Sequence, residues 1–156
     1  MALFLVRHAH AGDRRKWEGP DHVRPLSEKG RKQADGLVAV LGGAGVTRIL
    51  SSPSVRCVQT VEPLARRLGL EVEETDALAE GARAEEVVDL ARRVVPDDTP
   101  VLCTHGDVIP TLLDALAESD RLPLPEGYPY AKGSTWRLEA DESSRFVAAD
   151  YLPAPG

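Results

Sequence analysis

Ala2 to Val6 form an unbroken apolar run of five residues that Arg7 and His8 close at once. Such a run is far too short to cross a bilayer, and its lack of alternation does not suit a strand with one wet face. It fits a strand covered on both sides, as in a parallel sheet with helices on each face. The pattern then repeats along the chain. After a polar stretch with Gly12, Gly19, Pro20 and Pro25, the residues Ala34, Leu37, Val38 and Leu41 fall at helical spacing and Gly42-Gly43 stop them. Arg48 to Ser51 read as a second strand. Ser52-Pro53 read as the opening of a helix, with Ser at the cap and Pro in the first turn, and Pro63 inside that helix is expected to kink or split it. Val72 marks a short third strand.

Val87, Leu90, Ala91 and Val94 repeat the helical stripe up to Pro96-Asp97-Asp98, and Pro100 to Thr104 read as a buried strand broken at His105-Gly106. Ile109, Leu112, Leu113 and Leu116 line a further helix. The segment 119–133, with three prolines and two glycines, is long enough to serve as a lid or binding loop. Thr135 to Leu138 and Phe146 to Ala149 close the chain as two strands. Strands alternating with helices predict a parallel or mixed sheet with helices on both faces. At 156 residues and 16.9 kDa the chain is expected to form a single domain over 1–156.

Composition removes several functional classes. With 42% apolar and 28% charged residues the chain is neither disordered nor fibrous. A net charge of −6 gives no basic footprint for nucleic acid or an anionic membrane. Charge is unevenly placed, however: residues 1–32 hold eight Arg or Lys against four acids, and residues 71–98 hold ten acids against three bases. A basic quarter on an acidic body suits a small anion held at one place. Cys57 and Cys103 supply neither a disulfide framework nor a metal-ligand cluster, and no signal peptide or anchor is seen, so a cytoplasmic location is expected.

In open α/β sheets ligands bind beyond the carboxyl ends of the strands. Arg7-His8, the segment Ser52 to Arg56, and His105-Gly106 each follow a predicted strand, so they are expected to meet at one edge. Arg7 and Arg56 offer planar forks of donors that match phosphoryl oxygens. A neutral His8 can attack phosphorus. A protonated His105, with the N–H groups opening the helix after it, adds positive charge. The same residues leave two other readings open: a phosphate-binding module without turnover, and a metal-dependent hydrolase using His8, His10 and His105.

Leu5-Val6-Arg7-His8-Ala9 resembles the signature of the histidine phosphatase superfamily, also called phosphoglycerate mutase-like. Arg24-Pro25-Leu26-Ser27-Glu28-Lys29-Gly30 with Gln33-Ala34 matches in family order, as do Ser51-Ser52-Pro53 with Arg56 and Gln59-Thr60, and Thr104-His105-Gly106. The small bacterial phosphohistidine phosphatases are the most similar branch. The resemblance implies a three-layer α/β/α sandwich with a mostly parallel sheet. It implies His8 as the phosphorylated residue, a phosphate pocket of Arg7, Arg56 and His105, and no cofactor or metal. It also places Glu80, in Leu78-Ala79-Glu80-Gly81, where many members carry the acid that protonates the leaving group. The implied partner is a phosphorylated small molecule or a phosphohistidine protein. Arg14, Arg15, Lys16, Trp17 and Arg24 are candidates for further substrate contacts. Ala9 and His10 depart from the usual pattern after the nucleophile. Asp107, which would repel phosphate, is expected to turn its carboxylate away to cap the next helix.

Overall fold

A computed structural model describes residues 1–156. The opening apolar run becomes β1 (Ala2–Arg7), with Leu3 to Val6 all buried. There follow α1 (Glu28–Leu41), β2 (Arg48–Ser51), α2 (Val55–Leu68), β3 (Val72–Glu74), α3 (Ala84–Val94), β4 (Pro100–Thr104), α4 (Val108–Ser119), β5 (Thr135–Ala140) and β6 (Phe146–Leu152). Short 3-10 turns lie at Arg14–Lys16, Asp21–Val23 and Asp76–Leu78. The strands form one sheet in the order β3-β2-β4-β1-β5-β6. The first four in that order run parallel, β5 is antiparallel to β1, and β6 is antiparallel to β5.

Side chains alternate along a strand, so each central strand feeds two cores. Leu3 and Leu5 of β1 join Leu50 and Leu102 beneath α3 and α4, which contribute Val87, Leu90, Ile109 and Leu112. Phe4 and Val6 join Ile49, Val101 and Cys103 beneath α1 and α2, which contribute Leu37, Leu41, Val61 and Leu64. This is the expected three-layer sandwich, and the unalternating run at the start is what a strand with two covered faces requires.

Two local expectations need correction. Ser54, not Ser52, stands at the start of α2, because the Ser52 hydroxyl is engaged 2.8 Å from His105 Nε2. Pro63 does not split α2, which runs unbroken from Val55 to Leu68. Only one backbone bond is lost at a proline, and buried Val61 and Leu64 flank it and hold the helix to the sheet.

The start of α1 is tied to the loop that leaves β1. Ser27 Oγ accepts from Gly30 N at 3.1 Å, while Ser27 N and Oγ both donate to His10 O, at 3.0 and 3.1 Å. A Cβ on Gly30 would collide with that same His10 carbonyl. Backbone cannot yield as a side-chain tip can, so Gly30→Ala is expected to cost about 1–3 kcal/mol, read as a lowered midpoint in thermal or urea denaturation. A midpoint equal to wild type would show that the loop and helix are not tightly joined.

β1, β2 and β4 end level with one another, with Arg7 opposite Thr104 and Ser51 opposite Cys103. Just beyond, His8 N donates to Thr104 O and Ser52 N to Cys103 O, both at 3.0 Å. The three polar clusters read from the sequence therefore leave the sheet side by side.

Candidate active site

A cavity of about 490 Å³ opens at this edge, and none of its 11 lining residues is hydrophobic. His8 lies at its floor and is 7% exposed. Its Nδ1 is 2.8 Å from Ala9 O. A carbonyl only accepts, so Nδ1 carries the proton and Nε2 keeps its lone pair. Burial, reinforced by the charges of Arg56, His105 and Arg7, pushes the His8 pKa down to about 3. The imidazole is thus neutral at physiological pH, the state a nucleophile needs. The Ala9 methyl, a departure from the usual glycine, packs with Ala11, Leu26 and Ala34. Ala9 N donates to Thr60 Oγ1 at 2.9 Å, and that hydroxyl donates to Arg56 O at 2.7 Å. The loop after His8 is in this way pinned to the helix that carries Arg56.

Arg7 donates through Nη1 to Tyr130 O at 2.8 Å, with the Tyr130 ring centre 5.7 Å from Cζ. Its Nε is buried and has no partner, as is Arg56 Nε. Arg7 lines the cavity and Arg56 lies behind it, and the two guanidiniums each carry one buried N–H that no protein group accepts. Gly106 makes the approach of Arg7 possible: a Cβ there would stand 2.6 Å from Nη2 and 2.7 Å from Cζ.

Arg56 is 1% exposed. It is not itself a lining residue, yet its Nη2 lies 3.1 Å from Glu80 Oε2 and 3.4 Å from His105 Nδ1, both in the cavity wall. Arginine can only donate, so His105 Nδ1 accepts here and Nε2 donates to Ser52 Oγ at 2.8 Å. The His8 and His105 rings stand edge to face with centres 5.5 Å apart.

Glu80 is positioned from below. Leu78 is fully buried and its carbonyl accepts from Thr104 Oγ1 at 2.6 Å. The turn after Glu80 is held by Asp107, whose Oδ2 accepts from Gly81 N at 2.8 Å. This corrects the expectation for Asp107. It stands at the N-cap position just before α4 but makes no side-chain cap, and it faces the cavity because Gly81 N is the better-placed donor. The Val108 and Ile109 N–H groups turn back onto His105 O at 3.1 and 3.2 Å, so they are not aimed at an anion as the sequence suggested.

The structure brings Arg7, His8, Glu80, His105, Arg14 and Arg24 into one cavity wall, with Arg56 directly behind. It places Arg15, Lys16 and Trp17 outside that wall. Arg15 pairs with Asp13, and the Trp17 indole donates to Pro20 O. His10 is also outside it, with Nδ1 2.6 Å from Ser27 Oγ, and no three His, Cys, Asp or Glu side chains are grouped to hold a metal ion. Sequence reasoning missed Asp13, Asp21, Tyr130 and Lys132. The last two come from the 119–133 segment, whose length was the one signal that it could reach the site. The carboxylate of Asp21 accepts from Arg24 Nε at 3.1 Å and pairs with Arg14 Nε at 3.3 Å and Arg56 Nη2 at 3.1 Å.

Fold and site together define an α/β/α protein with a polar, arginine-lined cavity around a buried neutral histidine at the carboxyl edge of its sheet. The chain belongs to the histidine phosphatase superfamily, branch 1, whose family model matches residues 3–82. It is 38% identical over 157 aligned residues to an 8-oxo-(d)GTP phosphatase of Mycolicibacterium smegmatis, covering 98% of this chain and 48% of that protein. It thus spans about half the length of that curated relative. Among solved structures it resembles the protein histidine phosphatase SixA complexed with tungstate, with a TM-score of 0.78, 20% identity, and 100% and 97% of the two chains covered. It also resembles a mycobacterial glucosyl-3-phosphoglycerate phosphatase complexed with VO₃, with a TM-score of 0.75, 20% identity, and 99% of each chain covered. At these identities the two structures bear on the fold alone. No helix is long and apolar enough to cross a membrane.

Proposed function

We propose that this chain is a phosphatase that works through a phosphohistidine on His8 and needs no metal. The observation that carries the reading is the His8 imidazole, neutral and with its Nε2 lone pair free, in a cavity walled by Arg7 and Glu80 with Arg56 bound directly behind Glu80. His8 Nε2 attacks phosphorus, the bond to the leaving oxygen breaks, and Glu80 supplies the proton which that oxygen takes. Water then attacks phospho-His8, Glu80 takes its proton, and inorganic phosphate departs with the imidazole restored. Arg7 and Arg56 hold the equatorial oxygens, and His105, whose Nδ1 accepts from Arg56, keeps that guanidinium in place, so rate enhancement comes from position and charge.

The substrate class best supported is a small phosphorylated molecule such as a nucleotide, because the relative at 38% identity acts on one. A phosphohistidine protein is the second reading, supported by the resemblance of the sequence motifs to those of the small bacterial phosphohistidine phosphatases. Turnover of an aryl phosphate in excess chelator tests the chemistry, and comparing kcat/KM for nucleotides, sugar phosphates and a phosphohistidine protein tests the substrate. Phosphate binding without turnover of any ester would leave a noncatalytic module, and loss of turnover on chelation would favour a metal enzyme.

Glu80 is testable separately. Glu80→Gln is expected to slow hydrolysis of alkyl phosphates by about 10²–10⁴-fold and to affect esters with good leaving groups much less. Equal slowing of both would remove Glu80 from the acid role.

A further inference from the structure

Resting on the phosphatase reading, we infer that Asp21 is the positioning residue of the phosphoryl pocket, acting through the guanidiniums it binds without touching the substrate. Asp21 lies in the 3-10 turn Asp21–Val23 and is not part of the cavity wall. Its carboxylate meets Arg24, Arg14 and Arg56 at 3.1, 3.3 and 3.1 Å. Its backbone carbonyl accepts from Arg56 Nη1 at 3.0 Å. Arg56 is therefore gripped twice by one residue, once at each terminal nitrogen.

Arg56 is a fully buried charge and must have a counter-charge. Two carboxylates meet it, Asp21 and Glu80, both on Nη2 at 3.1 Å. Their duties differ. Both Glu80 oxygens accept from arginine, Oε1 from Arg14 at 3.0 Å and Oε2 from Arg56 at 3.1 Å. To give a proton to a leaving group Glu80 must surrender these contacts to the arriving phosphoryl oxygens. At that moment Asp21 is the one remaining carboxylate on Arg56. It keeps the guanidinium in place while Glu80 is exchanged for substrate. Burial pushes the Asp21 carboxyl up, but the bond from Arg24 and the charges of Arg56 and Arg14 together hold it below the ordinary carboxylate range.

This arrangement has a signature that plain structural support lacks. Removing the negative charge makes the pocket more attractive to a dianion in the ground state, while freeing Arg56 misplaces it in the transition state. The experiment is steady-state hydrolysis of an aryl phosphate by wild type, Asp21→Asn and Asp21→Glu, with the inhibition constant for inorganic phosphate and the thermal midpoint measured on each. Asp21→Asn is expected to lower kcat by roughly 100-fold and to tighten phosphate inhibition on the order of threefold. Asp21→Glu, which keeps the charge, is expected to recover part of the kcat. Unchanged kcat and phosphate affinity in folded Asp21→Asn, with only a lowered midpoint, would overturn the proposal. So would equal loss in both variants, since charge would then not be what matters. An inactive wild type would instead overturn the phosphatase reading, so the two failures are told apart.

Discussion

His8→Ala is expected to abolish turnover of every phosphate ester, by on the order of 10⁴-fold or more, while the protein stays folded. The nucleophile cannot be replaced by a neighbour. The other imidazole, His105, has both ring nitrogens engaged, with Ser52 and Arg56, and its ring centre is 5.5 Å from that of His8. Inorganic phosphate is expected still to bind the variant, because Arg7 and Arg56 remain, and an alkaline denaturing quench, which preserves the P–N bond, is expected to trap a phosphoenzyme from wild type and none from the variant. The fold survives because the one side-chain bond of His8 goes to the adjacent carbonyl. Stability carries its own mark. The native pKa of about 3 lies below the ordinary 6.5, so between these values the unfolded chain binds the proton and the native one does not. Wild type therefore loses stability as pH falls through that window, by up to about 1.4 kcal/mol per pH unit. His8→Ala lacks this contribution, and its thermal midpoint is expected to fall less between pH 6 and pH 4. Residual turnover within tenfold of wild type would refute His8 as the nucleophile.

Gly106→Ala separates activity from stability. The added methyl would stand 2.6 to 2.9 Å from three atoms of the Arg7 guanidinium, closer than real carbons approach. The yielding partner is the tip of a flexible side chain, so the strain relaxes cheaply and the melting temperature is expected to stay within a few degrees of wild type. Activity does not recover so easily. Arg7 must leave its place against Tyr130 O, and its unpartnered Nε moves with it. Losing one preorganised donor costs about 10²–10³ in kcat. The measurement is kcat beside thermal denaturation on the same sample. A full-speed enzyme would mean that Arg7 does not hold the transferring group, and a large loss of stability would mean that this junction supports the core.

Much of the architecture was legible along the chain because local patterns reflect burial directly. The unalternating run at 2–6 and the segment 100–104 could lie only between two helical layers, and the stripes at 34–41, 87–94 and 109–116 told which helix faces go inward. Ser52 and Asp107 misled because a single polar side chain has several donors or acceptors in reach, and the winner, His105 for one and Gly81 for the other, stands 53 or 26 residues away. Pro63 misled because its local penalty is small beside the packing of the residues around it.

Sequence alone determined the layers, the strand ends and the residue types able to meet a phosphoryl group, since these follow from periodicity and from the chemistry of imidazole and guanidinium. Only tertiary structure decided which nitrogen of His8 is free, that Arg56 is buried behind the wall with Asp21 gripping it there, and that Arg15, Lys16 and Trp17 stand apart from the wall while Lys132 joins it. Those outcomes depend on distances between segments far apart in the chain. Hydrogen bonds and charge pairs of that kind leave no periodic trace in the order of the residues.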